Sequence, residues 1–289
     1  MTQDRFIDVG PIRTRYWQAG SAGSTVVLLH GIGCSVLEWE RNLDALASKH
    51  RVFAVDLLGF GLTDKPQNEC YGIRRLAAFV LDFMSAHGIQ RAHLAGNSLG
   101  GRLALDCAVI APHRVVSLLL VDPAGVDGLG TLPEFRLATV PLLGELFTRP
   151  TRMGTRMLWN KAFAKPGAFV TEELVRTKVR LASLPGAQSA FLETLRSFVG
   201  LRGFRAELVA ELHAALPAIQ APTLTLWGGS DRFVPPAHAQ TLKRLMPTVE
   251  VQVWEDCGHV PQIECSPRFN AEALGFWERV DKAQRTSTA

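Results

Sequence analysis

Ala92-His93-Leu94-Ala95-Gly96-Asn97-Ser98-Leu99-Gly100-Gly101 is the stretch on which the reading of this chain turns. Its first four residues are a short apolar run of the kind that forms a buried strand, and the helix-length segment Leu99–Ala111 follows directly. Between them lies G-x-S-x-G. A turn this sharp puts Ser98 in a strained backbone conformation with its hydroxyl exposed. The glycines two residues to either side leave room for the neighbouring strand and helix. The helix that starts here opens with free N–H groups, which suit developing negative charge. Ser98 is therefore the candidate nucleophile.

Outward from this turn, similar apolar runs predict strands at Thr25–His30, Val52–Asp56, Val115–Asp122, Thr223–Trp227 and Val249–Trp254. Each is Val- and Leu-rich on consecutive positions, the pattern of a strand covered on both faces. Amphipathic, helix-length segments occupy Leu37–Lys49, Gly72–His87 and Ala237–Leu245. Alternating strand and helix predicts an α/β fold, a mostly parallel twisted sheet flanked by helices.

The alternation stops between about Val126 and Pro217, a helix-like stretch punctuated by proline and glycine. So long a stretch without a strand is not a single loop. It predicts a helical lid inserted late in the sheet, over residues 128–216, with core segments 1–127 and 217–289 around it.

The other strand ends supply partners for Ser98. His30-Gly31-Ile32-Gly33-Cys34 follows the first strand, and a glycine-rich loop there lets a backbone N–H face a bound carbonyl oxygen. Ile32 and Leu99 N–H groups are the candidate oxyanion hole, each donor contributing about 10²–10³ in rate. Gly228-Gly229-Ser230-Asp231-Arg232-Phe233-Val234-Pro235 follows one late strand, and Glu255-Asp256-Cys257-Gly258-His259-Val260-Pro261 follows the next. Asp231 and His259 are the candidate orienting acid and base, and Asp122, ending its strand in Val-Asp-Pro-Ala-Gly, is the competing acid. Gly31, Asn97, Trp39 and Val260 are candidate substrate contacts. Lid residues Phe135, Leu142, Leu143, Phe147, Met153, Met157 and Trp159 either line an apolar pocket or pack the lid onto the core.

The composition narrows the classes. The 289 residues are 47% hydrophobic, ordinary for a globular enzyme, and no apolar run is long enough to span a bilayer. Met-Thr-Gln-Asp-Arg-Phe at the start lacks a secretory signal's apolar stretch, so a cytoplasmic protein is expected. Five scattered cysteines without a C-x-x-C pair are expected to be reduced thiols. A net charge of +4 is too small to argue for nucleic acid, and a small-molecule substrate is expected. The lid carries twelve Lys+Arg against seven Asp+Glu and the rest nineteen against twenty, so the excess sits in the lid. That distribution suits either a solvated surface or attraction of substrates bearing a carboxylate. No H-E-x-x-H or comparable ligand spacing occurs, so neither metal nor organic cofactor is expected. Asp56-Leu57-Leu58-Gly59-Phe60-Gly61 lacks the third glycine of a dinucleotide loop.

With Ser98, Asp231 and His259 in that chain order, the sequence resembles the serine-nucleophile branch of the α/β-hydrolase superfamily, from Thr25 to Trp277. Asp56–Pro66 is similar to the D-x-x-G-x-G-x-S/T-D segment of these enzymes. Gly-Asn-Ser-Leu-Gly-Gly resembles the elbow of small carboxylesterases, and that of the carbon–carbon bond hydrolases acting on ring-cleavage dienoates. The latter commonly carry tryptophan after the catalytic histidine, where Val260 stands, and bind their substrate carboxylate with a lid arginine, for which Arg176 and Arg180 are the counterparts. The resemblance implies acyl-enzyme hydrolysis of a carboxylic ester first. Carbon–carbon hydrolysis, or acyl transfer or perhydrolysis by the same triad, is the alternative.

Overall fold

The computed structural model describes residues 3–128 and 130–288, so Met1, Thr2, Ala289 and Leu129 at the start of the insertion lie outside it. The strands in chain order are β1 Arg5–Val9, β2 Ile12–Ala19, β3 Thr25–Leu29, β4 Arg51–Val55, β5 Ala92–Asn97, β6 Val115–Val121, β7 Val199–Gly200, β8 Gly203–Phe204, β9 Thr223–Gly228 and β10 Glu250–Trp254. Eight of them form one sheet in the order β1-β2-β4-β3-β5-β6-β9-β10. Every pairing from β4 to β10 is parallel, while β1–β2 and β2–β4 are antiparallel. The predicted parallel strands all form, within a residue or so of the expected ends. The N-terminal hairpin was not foreseen. Its second strand, Ile12–Ala19, has too many consecutive buried positions for clean alternation.

The helices are α1 Glu40–Ala47, α2 Ile73–Ala86, α3 Leu99–Ile110, α4 Pro133–Ala138, α5 Leu143–Phe147, α6 Arg152–Ala162, α7 Glu172–Ala182, α8 Ala187–Phe198, α9 Ala206–Ala215, α10 Ala237–Leu245, α11 Pro261–Glu264 and α12 Ser266–Thr288. Side chains of α2, α3 and α10 build the core on one sheet face. Those of α1 and α12 build it on the other. Both faces of β3, β5 and β6 are thus covered, which is why Val26–Leu29 and Leu118–Val121 are fully buried. No helix among the described residues is long and apolar enough to cross a membrane.

Between β6 and β9 the chain leaves the sheet, forming α4 to α9 and the two-residue strands β7 and β8. The stretch is therefore not wholly helical as expected, but its elements stay outside the main sheet.

Candidate active site

The elbow follows from close packing. A Cβ on Gly96 would lie 2.2 Å from the Gly100 carbonyl oxygen, and one on Gly100 would lie 2.2 Å from that of Leu29. Only glycine lets β5, the turn and α3 approach so closely. Ser98 at the apex has φ 56° and ψ −115°. Its N–H donates to Val121 O at 2.8 Å, and its carbonyl accepts from Arg102 and Ala124 N–H groups. These bonds over-determine a conformation that a lone serine would leave. Among the described residues the Ser98 hydroxyl makes no hydrogen bond.

β9 and β10 deliver the partners. Asp231 Oδ2 lies 2.7 Å from His259 Nδ1, and Asp231 Oδ1 accepts from the Phe233 and Val234 N–H groups at 2.6 and 3.0 Å. The Phe233 ring stacks on His259 with centroids 4.7 Å apart. Asn97 donates from Nδ2 to His259 O at 2.9 Å and to Val121 O at 3.3 Å. Its amide ties the histidine loop to the elbow and is not free for a substrate.

The oxyanion candidates are equally determined. The Gly31 carbonyl lies 2.7 Å from His30 Nδ1 and accepts from the Cys34 N–H at 3.2 Å. Because a peptide's C=O and N–H point oppositely, tying down that carbonyl aims the Ile32 N–H the other way. Gly31 itself sits against the elbow, since a Cβ there would be 3.3 Å from Ser98 Cβ. His30 is fully buried, and burial pushes its pKa down to about 3. It is neutral: Nδ1–H donates to Gly31 and Nε2 accepts from Leu57 N–H at 3.0 Å. Leu99 opens α3, so its N–H has no partner within the helix.

Asp122 is not the acid on His259. Its Oδ1 accepts from Gly228 N–H at 2.8 Å. Yet it is close by, with donor atoms of Asp122, Asp231 and His259 all within 4.8 Å of one another. The 2.7 Å between Asp231 and His259 is a hydrogen-bond length and leaves no room for an ion between them.

Several expectations need correction. Trp39 is fully buried on the opposite sheet face, against Phe269, because the short helical turn at Val36–Trp39 carries it away from Ser98. Val260 is buried in the core and caps α11 through its carbonyl. Cys257 and Cys265 form a disulfide, against the expected reduced thiols; α11 turns the chain back and brings their Cα atoms to 6.7 Å. Cys34, Cys70 and Cys107 are free. Arg176 and Arg180 are exposed, whereas Lys178 on the same helix is buried. Lys178 pairs with Glu38 of the core and lies over the Trp159 ring, 4.3 Å from its centroid. Burial lowers the Lys178 pKa. Helix phase carried this signal, since Val175, Lys178 and Leu181 form the buried face of α7. Of the lid apolar residues, Phe135 reaches the site and Trp159 is buried, while Leu142, Leu143, Phe147, Met153 and Met157 are exposed.

A cavity borders Ser98, walled by Ile32, Ala124, Phe135, Leu195, Phe198 and Phe233 among others. The segment inserted between β6 and β9 is pinned beside it. His259 N–H donates to Ala162 O at 2.7 Å, and Glu264 accepts from the N–H groups of Gly258, Ala164 and Lys165 at 2.7, 3.1 and 2.8 Å.

The sequence profile of the alpha/beta hydrolase fold family matches residues 24–265. A 2-hydroxy-6-oxononadienedioate/2-hydroxy-6-oxononatrienedioate hydrolase of Burkholderia vietnamiensis is 34% identical over 277 residues, covering 93% of this chain and 92% of its own. Among solved structures, the meta-cleavage product hydrolase of Pseudomonas fluorescens superposes with a TM-score of 0.81 at 26% identity, covering 96% of this chain and 97% of that one. A bacterial membrane phospholipase A does so with a TM-score of 0.73 at 28% identity, covering 97% and 87%. The chain belongs to the α/β-hydrolase family and is an α/β-fold serine hydrolase.

Proposed function

We propose that the protein hydrolyses a carboxylic ester of a small or medium apolar substrate through an acyl-enzyme on Ser98. The apolar cavity beside Ser98 carries this reading. Phe135, Leu195 and Phe198 suit a hydrocarbon chain, and the buried cation of the lid, Lys178, is already neutralised by Glu38. Other lid cations are likewise paired, Arg152 and Arg156 with Glu172, Lys161 with Glu134 and Arg196 with Glu145.

In the proposed chemistry His259 takes the Ser98 proton as the hydroxyl attacks the ester carbonyl. Asp231 holds the imidazole with Nδ1 protonated and stabilises the cation that forms. The N–H groups of Ile32 and Leu99 stabilise the oxyanion, and His259 then protonates the leaving alcohol. Water repeats these steps on the acyl-enzyme. Gly31 supplies close approach, while Asn97 positions the base rather than contacting substrate.

Turnover of p-nitrophenyl esters of increasing chain length tests the proposal. Ser98→Ala should abolish it, and Asp231→Asn should lower kcat by about 10⁴, as expected when the imidazole loses its orienting carboxylate. Undiminished hydrolysis by Ser98→Ala would refute the assignment.

Carbon–carbon hydrolysis is the second reading. It is supported by the name of the 34%-identical relative and by Lys178, which could meet a substrate carboxylate if Glu38 released it. Loss of the yellow colour of a ring-cleavage dienoate faster than any ester turns over, with KM raised by Lys178→Met, would make it the primary reading.

A further inference from the structure

The Ser98–His259–Asp231 relay leaves one buried carboxyl unaccounted for. Asp122 ends β6 with φ 47° and no solvent exposure. Its N–H donates to Leu226 O at 3.1 Å, and Oδ1 accepts from Gly228 N–H at 2.8 Å. Among the described residues Oδ2 has no donor within reach, and the side chain beside it is that of Asp231. Asp231 has committed both oxygens to N–H donors, two from backbone and one from His259. The titratable groups facing Asp122 are Asp231 from the loop after β9 and His259 from the loop after β10. Neighbouring β5 and the turn after it contribute Asn97 and Ser98, and β9 contributes Gly228, none of them charged. Two ionised carboxylates this close would repel strongly; a pair sharing one proton would not.

We propose that Asp122 is a positioning residue of the relay, held as the neutral acid with its proton on Oδ2 shared toward the Asp231 carboxylate. The pair then carries one negative charge. Asp122 gives the acid a fourth hydrogen bond, fixes the plane in which it meets His259 Nδ1, and draws off part of its negative charge. No proton leaves Asp122 during turnover. Burial and the Asp231 charge both push the Asp122 pKa well above the usual carboxylate range, in the required direction.

The proposal rests on the relay assignment, so its test must separate the two. The rate at which a fluorophosphonate labels Ser98, measured against pH, reports nucleophile activation without depending on the natural substrate. Asp122→Asn keeps an acceptor for Gly228 and a donor for Asp231, and asparagine tolerates positive φ. It should label within about threefold of the parent, with the same acidic limb. Asp122→Gly fits the backbone but removes the donor. It should label at least roughly tenfold more slowly, the scale of one hydrogen bond to a charged group. Its acidic limb should move to higher pH, because an unbraced Asp231 holds the imidazolium more tightly. Thermal denaturation checks that both variants fold.

Three results would overturn the proposal: parental labelling by Asp122→Gly, slowing without a shift of the limb, or a shift to lower pH in Asp122→Asn. The last would mean that the parent carries two charges. Failure of the phosphonate to label Ser98, or parental labelling by Asp231→Asn, would instead refute the relay.

Discussion

Asn97 illustrates what residue identity decides and what it leaves open. Its place before the nucleophile made it a candidate substrate contact, but its amide joins His259 O to the elbow. Asn97→Ala should therefore lower kcat roughly three- to tenfold, the scale of one or two neutral hydrogen bonds, with KM and chain-length preference unchanged. A rise in KM alone would return Asn97 to the substrate. Ser98, Asp231 and His259 were legible as candidates because each follows a strand within a local motif whose glycines have a steric reason. Asp122 was legible as an acid, but not as the neighbour of Asp231. That contact joins two strands a hundred residues apart in sequence, and only the β6–β9 pairing creates it.

At the scale of elements, the loop after β10 holds the candidate base His259, and the segment inserted between β6 and β9 holds that loop. Glu264 in α11 caps the backbone of Gly258 on one side and of Ala164 and Lys165 on the other, while the Cys257–Cys265 disulfide closes the same loop. Removing the carboxylate leaves three N–H groups without their acceptor. Glu264→Ala should lower kcat about tenfold or more and should speed protease cleavage near residues 163–166. Glu264→Gln, which keeps an acceptor, should recover part of the loss. Unchanged kinetics in Glu264→Ala would show that the lid does not hold the base. The parallel strands were readable because burial on both faces makes consecutive residues apolar. The inward phase of α7 puts Lys178, rather than the resemblance's counterparts Arg176 and Arg180, on its buried face. The disulfide was unreadable, since eight residues of spacing give no hint that a four-residue helix folds them together.

For the whole molecule, stability against acid depends in part on two buried groups at the ends of adjacent strands β3 and β4. His30 is depressed from 6.5 to about 3 by burial. Burial raises Asp56 from 3.8 to about 6, although Arg15 and the N–H groups of Val36 and Leu62 oppose the shift. As pH falls below 6.5 the unfolded chain protonates His30 and the folded chain does not, so stability is lost across the window down to about 3. Asp56 acts oppositely: the folded chain binds its proton near pH 6 and the unfolded chain only near 3.8, so stability is gained as pH falls between them. Each slope approaches about 1.4 kcal/mol per pH unit where the states differ by one proton, and the two nearly cancel between pH 6 and 4. Single substitutions should uncover them. In urea unfolding at pH 7, 6, 5 and 4, the stability deficit of His30→Gln should shrink on acidification, whereas that of Asp56→Asn should grow over the same interval. Deficits that stay constant with pH would mean that neither group changes its proton affinity on folding. Since His30 also holds the Gly31 carbonyl that aims the Ile32 N–H, charging it in the folded state would disturb the candidate oxyanion site. The burial that keeps it neutral therefore protects fold and site together.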